Sequence, residues 1–323
     1  MQDICLFAHF DRDGVIDEYV FRYLAKIKEQ SFSIVFITTS PISGSDCRRL
    51  ALYCDDVIQR ENAGLDFGSW AAGFEKHRSA MTGRLLLAND SVYGPIGELG
   101  TALQHLTAIK ADFYGLVESM DTSPHLQSWF LLFENHVVRD RAFSDLMRQP
   151  FARMNKADII RHGELELSAK LNTAGWRYRA LYCASRSSLF ARVYPFNPMH
   201  NLWQEMISCE GIPFVKVELL RDNPVSIYDV VDVENVVEAR DPGLWKLISA
   251  HQARVAGSSN TAPSYRRQPT LRRAHRLLQL LLQRAYHAKR ERRRLAEISI
   301  SAIIIAAIAA WRLLRLLRPR RAT

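Results

Sequence analysis

Short apolar runs separated by amphipathic stretches fill the first 120 residues, and they constrain the fold more than any other feature of the sequence. Residues 3–10 (DICLFAHF) and 33–38 (SIVFIT) are largely apolar, and residues 15–30 between them repeat apolar side chains near the helical period of about 3.6 residues. Apolar runs without alternation indicate strands that are buried on both faces. The sequence therefore predicts an α/β fold, in which a mostly parallel sheet is covered by helices on both faces.

The same pattern continues through the middle of the chain. Further runs predict strands over residues 56–59, 84–88, 112–118 and 128–133, and helices over residues 46–53, 69–77, 99–109, 140–148, 164–173 and 200–207. A polar stretch containing Gly, Ser and Pro follows at residues 256–270 and predicts a linker. The expected organisation is an α/β domain over residues 1–255, this linker, and a basic helical tail over residues 271–323.

Charge is divided unevenly between the body and the tail, although the formal net charge of the whole chain is +9. Residues 266–323 carry 16 Lys and Arg against 2 Glu, whereas residues 1–265 carry 27 basic and 32 acidic residues. A mildly acidic body with a basic, Leu-rich tail is unlike a uniformly basic nucleic-acid-binding protein. It indicates contact with an anionic membrane surface and no nucleic acid partner.

Residues 298–311 (ISISAIIIAAIAAW) form the apolar centre of the tail. As a helix these 14 residues would extend about 21 Å, which is less than the hydrocarbon core of about 30 Å. A longer apolar helix would require Arg312 and Arg315 to extend their charged ends to the membrane interface. The tail is therefore expected to lie in the membrane surface or to tilt into it, and a dimerising amphipathic hairpin is the alternative.

Cysteine usage and the start of the chain bear on the cellular compartment. The five cysteines occur singly without a CxxC pair, and the first twenty residues lack a basic start followed by an apolar run. Both features are typical of a reduced compartment. We expect a cytoplasmic protein that is attached peripherally to the inner face of the cell membrane.

The segment HFDRDGVID, at residues 9–17, resembles the start of a haloacid-dehalogenase-type phosphatase. In that hypothesis Asp11 would be the nucleophile that forms an aspartyl-phosphate, and Asp13 would protonate the leaving oxygen. The later Lys and acidic pair of such enzymes have no convincing match, since Asn89 with Asp90 offers one carboxylate for Mg²⁺. The alternative is a plain strand-to-helix turn.

A second segment, RENAGLDFGSW at residues 60–70, places Asn62, Gly64 and Asp66 after the third predicted strand. It resembles the donor-binding turn of A-type nucleotide-sugar glycosyltransferases. In such a turn a glycine lets the backbone pass close to the ligand, and a side chain such as Asp66 hydrogen-bonds sugar hydroxyls. Ordinary turn chemistry is the alternative, because Asn and Gly are common turn residues.

The next predicted strand ends in Asn89, Asp90 and Ser91, within RLLLANDSVYGP. A-type glycosyltransferases carry an Asp-x-Asp element at this place, whose carboxylate holds a divalent cation between the two donor phosphates. Asp90 corresponds to its second carboxylate, while Asn89 and Ser91 depart from the acidic pair. The resemblance implies Mg²⁺ or Mn²⁺ as a cofactor, and the alternative is an Asp that caps a strand-end turn.

Several blocks in one order make the resemblance specific. They are RENAGLDFGSW, LLLANDSVYGPI, DFYGLVES, HLQSWFLLF, GELELSAKL, NPMHNLWQEMI and GIPFVKVELLRDNP, within a match over residues 3–230. Through them the chain is similar to the rhamnan synthesis protein F family of bacterial polysaccharide glycosyltransferases. The resemblance implies a Rossmann-like A-type fold and the transfer of a sugar, typically L-rhamnose from a dTDP donor, to a surface polysaccharide or its lipid-linked precursor.

The resemblance also implies roles for residues within these blocks. The base that takes the acceptor proton would be Glu164, Glu166 or Glu118, with Glu164 preferred; a helix-start acidic cluster is the alternative for the first two. The other assignments are donor binding by His9, Asp11, Asn62, Gly64, Asp66, Asn89, Asp90, Lys216 and Arg221, acceptor binding by His125 and Gln127, and metal binding by Asp90 and His200. Surface ion pairing is the alternative for the two basic residues, and a structural role is the alternative for His200.

Three classes of function are thus in competition. A phosphatase that uses Asp11 and Asp13 accounts for residues 9–17 alone. A non-catalytic, membrane-associated binding protein accounts for the tail but leaves Asn62 and Asp90 unexplained. A glycosyltransferase accounts for the predicted sheet, the ordered blocks and the charge division together.

Overall fold

The computed structural model describes residues 1–120, 123–189, 191, 196–258 and 269–316. Its strands are β1 (Ile4–His9), β2 (Ser33–Thr38), β3 (Asp56–Gln59), β4 (Leu85–Asn89), β5 (Val92–Tyr93), β6 (Phe113–Ser119), β7 (His125–Leu126), β8 (Phe130–Phe133), β9 (Tyr178–Cys183) and β10 (Val215–Lys216).

Eight of these strands form one mixed sheet, in which the order is β3-β2-β1-β4-β8-β6-β7 and β9 pairs with β6. The first four strands of this order run parallel to one another, and β9 runs parallel to β6. β8 runs antiparallel between β4 and β6, and β7 is antiparallel to β6. β5 and β10 form a separate antiparallel pair. The predicted α/β fold with a mostly parallel sheet is confirmed.

Helices connect and cover these strands. They are α1 (Glu18–Lys28), α2 (Gly44–Leu50), α3 (Leu65–His77), α4 (Leu99–Thr107), α5 (Asn135–Val138), α6 (Arg141–Met147), α7 (Lys156–Ile159), α8 (Glu166–Thr173), α9 (Ala184–Ser187), α10 (Pro198–Asn201), α11 (Trp203–Ser208), α12 (Val217–Arg221), α13 (Val233–Glu238), α14 (Leu244–Ser258), α15 (Pro269–Arg290) and α16 (Arg294–Leu316). A π-helix (Ile160–Leu165) precedes α8, and 3₁₀ turns lie at Arg78–Ala80, Phe151–Arg153 and Asp229–Asp232.

The central strands are apolar throughout because each of their faces packs against a separate core. Along β1, Cys5 and Phe7 join one core, whereas Ile4, Leu6 and Ala8 join the other. α1 and α4 cover the first face, and α3 and α6 cover the second. Since successive side chains of a strand point to opposite faces, this arrangement requires apolar residues at every position of β1.

Several predicted boundaries differ from the structure. α3 begins at Leu65, four residues earlier than predicted, because the turn at Gly64 already starts the helix. The helix predicted over residues 164–173 consists of the end of the π-helix followed by α8. The sequence pattern missed β9, because its burial alternates between intermediate and buried positions and lacks a continuous apolar run.

The C-terminal part of the chain is helical, as predicted, and it packs against the α/β body. α14 continues through Ser258, so the first three residues of the predicted linker are helical, while its residues 259–268 lie outside the described residues. Residues 317–323 of the predicted tail also lie outside them. Leu282 and Ile304 of α15 and α16 join the core that contains β1, and the domain boundaries stay predictions. In the described part of the chain, no helix is both long enough and apolar enough to cross a membrane.

Candidate functional site

A cleft of about 1060 Å³ lies at the edge of the sheet where the parallel strands β1 and β4 end. This is the edge at which open α/β sheets bind their ligands, because the loops that leave neighbouring strands diverge there. α12 and α14 line the cleft from the C-terminal half of the chain. Seven of the predicted site residues line it: His9, Asp11, Asn62, Asp66, Asp90, Lys216 and Arg221.

Asp90 follows β4 directly, and the backbone around β1 holds its carboxylate. The backbone N–H of Phe10 donates to Asp90 Oδ2 at 3.0 Å, and the Tyr19 hydroxyl donates to the Asp90 carbonyl at 3.1 Å. Burial and the nearby charge of Asp66 raise the pKa of Asp90 well above its usual range. A carboxylate in this position is stabilised by any cation that enters the cleft.

Asp66 lies in the first turn of α3, and Asn89 Nδ2 donates to its Oδ2 at 2.7 Å. Burial raises the pKa of Asp66 to about 6, although the bond from Asn89 and the charge of Lys216 oppose this rise. Gly64, the residue before α3, has φ of +80°, and a Cβ there would lie 2.9 Å from the carbonyl carbon of Phe151. The turn therefore requires glycine for both conformation and space.

His9, the last residue of β1, is buried beside these carboxylates. Its Nδ1 is 3.0 Å from Thr38 Oγ1, and its Nε2 is 3.8 Å from Asp90 Oδ2. Burial lowers the pKa of His9 to about 4, so its ring is neutral at physiological pH. His9 can therefore hydrogen-bond a ligand or Asp90, and it does not supply a positive charge.

Two of the basic side chains that line the cleft were predicted as donor-binding residues, Lys216 and Arg221. Lys216 ends β10 and is surrounded by the negative charges of Glu164, Glu218 and Asp66, while burial lowers its pKa. Arg221, at the end of α12, pairs with Asp222 at 2.7 Å. Lys216 is thus available to an anionic ligand between the carboxylates, whereas Arg221 already has a partner on the surface.

An arginine from α14 occupies the acidic turn after β1. Arg254 Nη2 lies 2.5 Å from Asp11 Oδ2 and 2.6 Å from Asp17 Oδ2, and Nη1 lies 3.1 Å from Asp13 Oδ2. Burial alone would raise the pKa of Asp11, but Arg254 holds it below its usual range. The Asp11 carboxylate is therefore held in an ion pair, which does not favour the nucleophile of the phosphatase hypothesis.

Asp11 and Asp17 of this turn and His251 of α14 form the only group of three His, Cys, Asp or Glu side chains among the described residues whose ligand atoms lie close together. The Arg254 guanidinium forms ion pairs with both of its carboxylates. His251 Nδ1 is 2.5 Å from the Tyr93 hydroxyl. This set therefore has an internal counterion.

The three carboxylates predicted as the base have different environments. Glu164 accepts the Ser128 backbone N–H at 3.0 Å, and its charge acts on both Asp66 and Lys216. Glu118 is buried and accepts bonds from the Tyr178 hydroxyl at 2.5 Å and the Ser185 N–H at 2.8 Å. Glu166 pairs at 2.9 Å with Lys170 outside the cleft. The structure therefore brings only Glu164 of these three towards the cleft.

The predicted acceptor residues are buried within the protein and do not line the cleft. His125 Nδ1 is 2.8 Å from the Ser123 carbonyl, and Gln127 bonds to Asn197 and Trp129. Both side chains thus fix the segment around β7. A role of His125 and Gln127 in acceptor binding stays a prediction.

His200, the second predicted metal ligand, is separated from Asp90, and it does not line the cleft. Its Nε2 lies 3.6 Å from Glu218 Oε2 and has no hydrogen-bond partner among the described residues. Burial lowers the pKa of His200 to about 4, and the charge of Lys216 adds to this effect. A buried neutral ring behind Lys216 agrees with the structural alternative for this residue.

Sequence reasoning missed the contribution of α14. His251, Gln252 and Val255 line the cleft, and Arg254 closes its acidic side. Positions 251, 252, 254 and 255 lie on one side of a helix, and this spacing was the signal that the sequence offered. The signal was weak, because the side of α14 that faces the body carries polar residues, and an inward face is normally recognised by apolar ones.

Two buried carboxylates and Lys216 of β10 thus meet in a cleft at the carboxyl ends of β1 and β4, the edge at which open α/β sheets bind their ligands. The family model described as rhamnan synthesis protein F matches residues 34–304. The chain belongs to this family, and the family and the fold together support a glycosyltransferase of polysaccharide biosynthesis.

Individual proteins with related sequences or folds were also found. The virulence protein VirA of Vibrio anguillarum is 28% identical over 272 residues, which cover 74% of this chain and 86% of that protein. The uncharacterized protein y4gN of Sinorhizobium fredii is 27% identical over 186 residues, which cover 56% of this chain and 48% of that protein. The solved glycosyltransferase GlyE of Streptococcus pneumoniae is 12% identical with a TM-score of 0.39, covering 79% of this chain and 64% of that one.

Proposed function

We propose that the protein transfers a sugar from a nucleoside diphosphate donor to a hydroxyl group of a glycan acceptor. dTDP-L-rhamnose is the expected donor, and a surface polysaccharide or its lipid-linked precursor is the expected acceptor. The observation that carries the proposal is the meeting of Asp66, Asp90 and Lys216 in one cleft at the carboxyl ends of β1 and β4. Asp66 and Asp90 supply carboxylates for a metal ion, and Lys216 supplies a positive charge for a phosphate group.

The residues present fit a divalent cation of the Mg²⁺ or Mn²⁺ type. Asp66 and Asp90 offer oxygen ligands, which these ions prefer. Burial raises the pKa of both carboxyl groups, and the charge of Asp66 adds to the rise at Asp90. Asp66 and Asp90 would hold the ion. When bound, it would neutralise the negative charge of the departing nucleoside diphosphate.

The chain's own residues would orient the two substrates. Lys216 would bind a diphosphate oxygen, and Asn62 at the mouth of the cleft would bind donor hydroxyls. Glu164 would accept the proton of the acceptor hydroxyl through Oε2, because Oε1 already accepts the Ser128 N–H. That bond holds the carboxylate in one orientation, as a general base requires.

The test is release of nucleoside diphosphate by the purified full-length protein from a set of nucleotide-sugars, with and without Mn²⁺. We expect release from dTDP-rhamnose or a related donor to depend on metal. Asp90→Asn should lower it at least about 100-fold, since it removes a cation ligand and keeps the side-chain shape. Asp145→Asn, on the exposed surface of α6, is the matched control and should not change it.

Three results would contradict the proposal. One is the failure of every nucleotide-sugar to bind or react. Another is full activity of Asp90→Asn. The third is Asp11-dependent cleavage of a generic phosphate ester, which would support the phosphatase instead.

A further inference from the structure

α16 presents an apolar face that no described part of the protein covers. Leu295, Ile298, Ile303 and Ile305 are exposed to 82%, 54%, 57% and 37%. The exposed positions between them and up to residue 310 are Ala and Ser, without a charged side chain. An uninterrupted uncharged helical face of this kind marks an interaction surface. We call these four residues the outer face of α16.

The opposite face of α16 is held against the body, which fixes the direction of the outer face. Glu297, Ser301 and Ile304 are buried at helical spacing. Glu297 Oε1 accepts the Leu189 backbone N–H at 2.8 Å, which ties α16 to the loop after α9. The helix therefore offers one side only to a partner.

α15 packs against α16 and contacts the body through polar side chains. Gln279 Nε2 donates to Asp229 Oδ1 at 2.6 Å, and Gln283 Nε2 donates to Asp229 Oδ2 at 3.1 Å. The Tyr286 hydroxyl donates to Glu210, while Leu282 is buried in the core. These contacts attach α15 to the body, and α16 packs against α15.

Charge around the outer face selects among partners. Exposed arginines cluster where α15 turns into α16, at Arg290, Arg292, Arg293 and Arg294, and Glu291 is the one exposed acidic residue among them. Beyond the apolar stretch, the sequence continues with Arg312 and Arg315. Two copies that packed in parallel through this face would bring their arginine clusters together, and two antiparallel copies would bring each cluster to the end of the partner helix where the sequence carries Arg312 and Arg315, so like charges repel in both arrangements. An anionic surface matches these charges instead.

We propose that the outer face of α16 docks on an anionic lipid bilayer, with the helix lying in the plane of the interface. The isoleucines and Leu295 enter the acyl boundary, and the arginine cluster contacts lipid phosphates. α16 lies in the plane because its inner side stays packed on the body through Glu297 and Ile304. α15 and α16 thereby hold the body at the lipid surface.

The test is flotation of the full-length protein with lipid vesicles. We expect binding to vesicles that contain phosphatidylglycerol, weaker binding in high salt, and little binding to pure phosphatidylcholine. The double variant Ile298→Glu and Ile303→Glu should bind at least about tenfold more weakly, because it places charges in the apolar face. The matched control is Leu52→Glu with Ile109→Glu, whose side chains are similarly exposed, at 68% and 58%, outside the tail.

Thermal unfolding of both double variants establishes that they are folded, and donor hydrolysis in solution separates this proposal from the proposed function. Equal flotation of the two double variants would overturn the docking surface. A second result would also overturn it: the wild type forms a dimer without lipid and does not float with vesicles, and the double variant Ile298→Glu and Ile303→Glu is a monomer. A second copy of the chain would then cover the outer face. If the wild-type protein hydrolyses no donor, that result contradicts the proposed function and leaves the docking surface unaffected.

Discussion

Glu164 and Glu166 are two positions apart, yet the structure gives them opposite surroundings. Glu164 lies one residue before the end of the π-helix, where the Ser128 backbone N–H donates to one of its oxygens, and its charge acts on Asp66 and Lys216. Glu166 faces outward towards Lys170 and His162, whose bonds hold its pKa below the usual range. A low pKa on the surface makes Glu166 a poor base, and the geometry favours Glu164.

These neighbours form a natural matched pair of variants. Glu164→Gln should lower the transfer rate by about 100-fold or more, the usual contribution of a general base, with little change in donor binding. Glu166→Gln should stay within about twofold, because it removes only surface ion pairs. Steady-state kinetics with donor and acceptor provide the measurement. Equal losses in the two variants would mean that neither is the base.

Glu205, in α11, is a buried carboxylate whose ionisation should weaken the fold. Its Oε2 has no hydrogen-bond partner among the described residues, and His287 of α15 lies 3.4 Å from Oε1. Burial raises the pKa of Glu205, the charge of Asp229 adds to the rise, and His287 opposes it. Glu205 is therefore protonated more readily in the folded protein than in the unfolded chain. Its stabilising contribution is complete below the usual pKa of 4.5 and is lost as pH rises through the folded value.

Glu205→Gln should consequently increase the free energy of unfolding at pH 7.5 by about 1 kcal/mol, and the difference should shrink towards pH 4.5. Urea unfolding at both pH values measures it. Glu234→Gln, on an exposed position of α13, is the control and should change little at either pH. A less stable Glu205→Gln at pH 7.5 would show that the ionised pair with His287 stabilises the fold instead.

Among the elements, strands with apolar residues on both faces could be predicted from the sequence, and polar helices could not. β2 and β3 match their predicted bounds, and each end of β1 and β4 lies one residue from its predicted position. For β1, β2 and β4 the reason is that both cores require continuous apolar runs. α14 escaped prediction since Arg254 and His251 are satisfied by carboxylates and a tyrosine from distant segments. Such long-range pairs leave no local pattern.

The turn that begins α3 requires a glycine at position 64. Gly64→Ala would combine a positive φ with a contact of 2.9 Å to Phe151, and we expect a loss of about 3 kcal/mol in the free energy of unfolding. Gly175→Ala is the control, because it has φ of +97° and open space around its Cβ, and it should cost about 1 kcal/mol. Chemical denaturation measures both. Similar losses would show that the backbone near Phe151 gives way.

α14 is held over the cleft by Arg254, so this helix can be loosened with one substitution. Arg254→Gln should lower the free energy of unfolding by about 2 kcal/mol, since Asp11, Asp13 and Asp17 would lose their common counterion. Adding Asp17→Asn should restore part of the loss by reducing repulsion. Lys246→Gln, an exposed position of the same helix, should have little effect. Equal stability of the Arg254 and Lys246 variants would contradict this role.

At the scale of the whole molecule, the sequence predicted the basic helical C-terminal region but not its attachment. Charge and apolar runs locate α15 and α16, as expected from residues 271–323. α15 contacts the body through Gln279, Gln283 and Tyr286. Their partners, Asp229 and Glu210, lie 50 to 76 residues earlier in the chain. In the sequence alone, such polar side chains look like those of a solvent-exposed helix face, because their partners are distant in the sequence.

If α15 is part of the same cooperative unit as the sheet, a substitution in the helix should change the unfolding of the body. Leu282→Ala should lower the free energy of unfolding by about 2 to 4 kcal/mol, because Leu282 is buried in the core shared with β1. Leu280→Ala, at a position 46% exposed, is the matched control and should stay within about 0.5 kcal/mol. Tryptophan fluorescence, to which the buried body residues Trp70, Trp129 and Trp203 contribute, follows the transition during urea unfolding. An unchanged transition in Leu282→Ala would mean that α15 unfolds separately from the sheet.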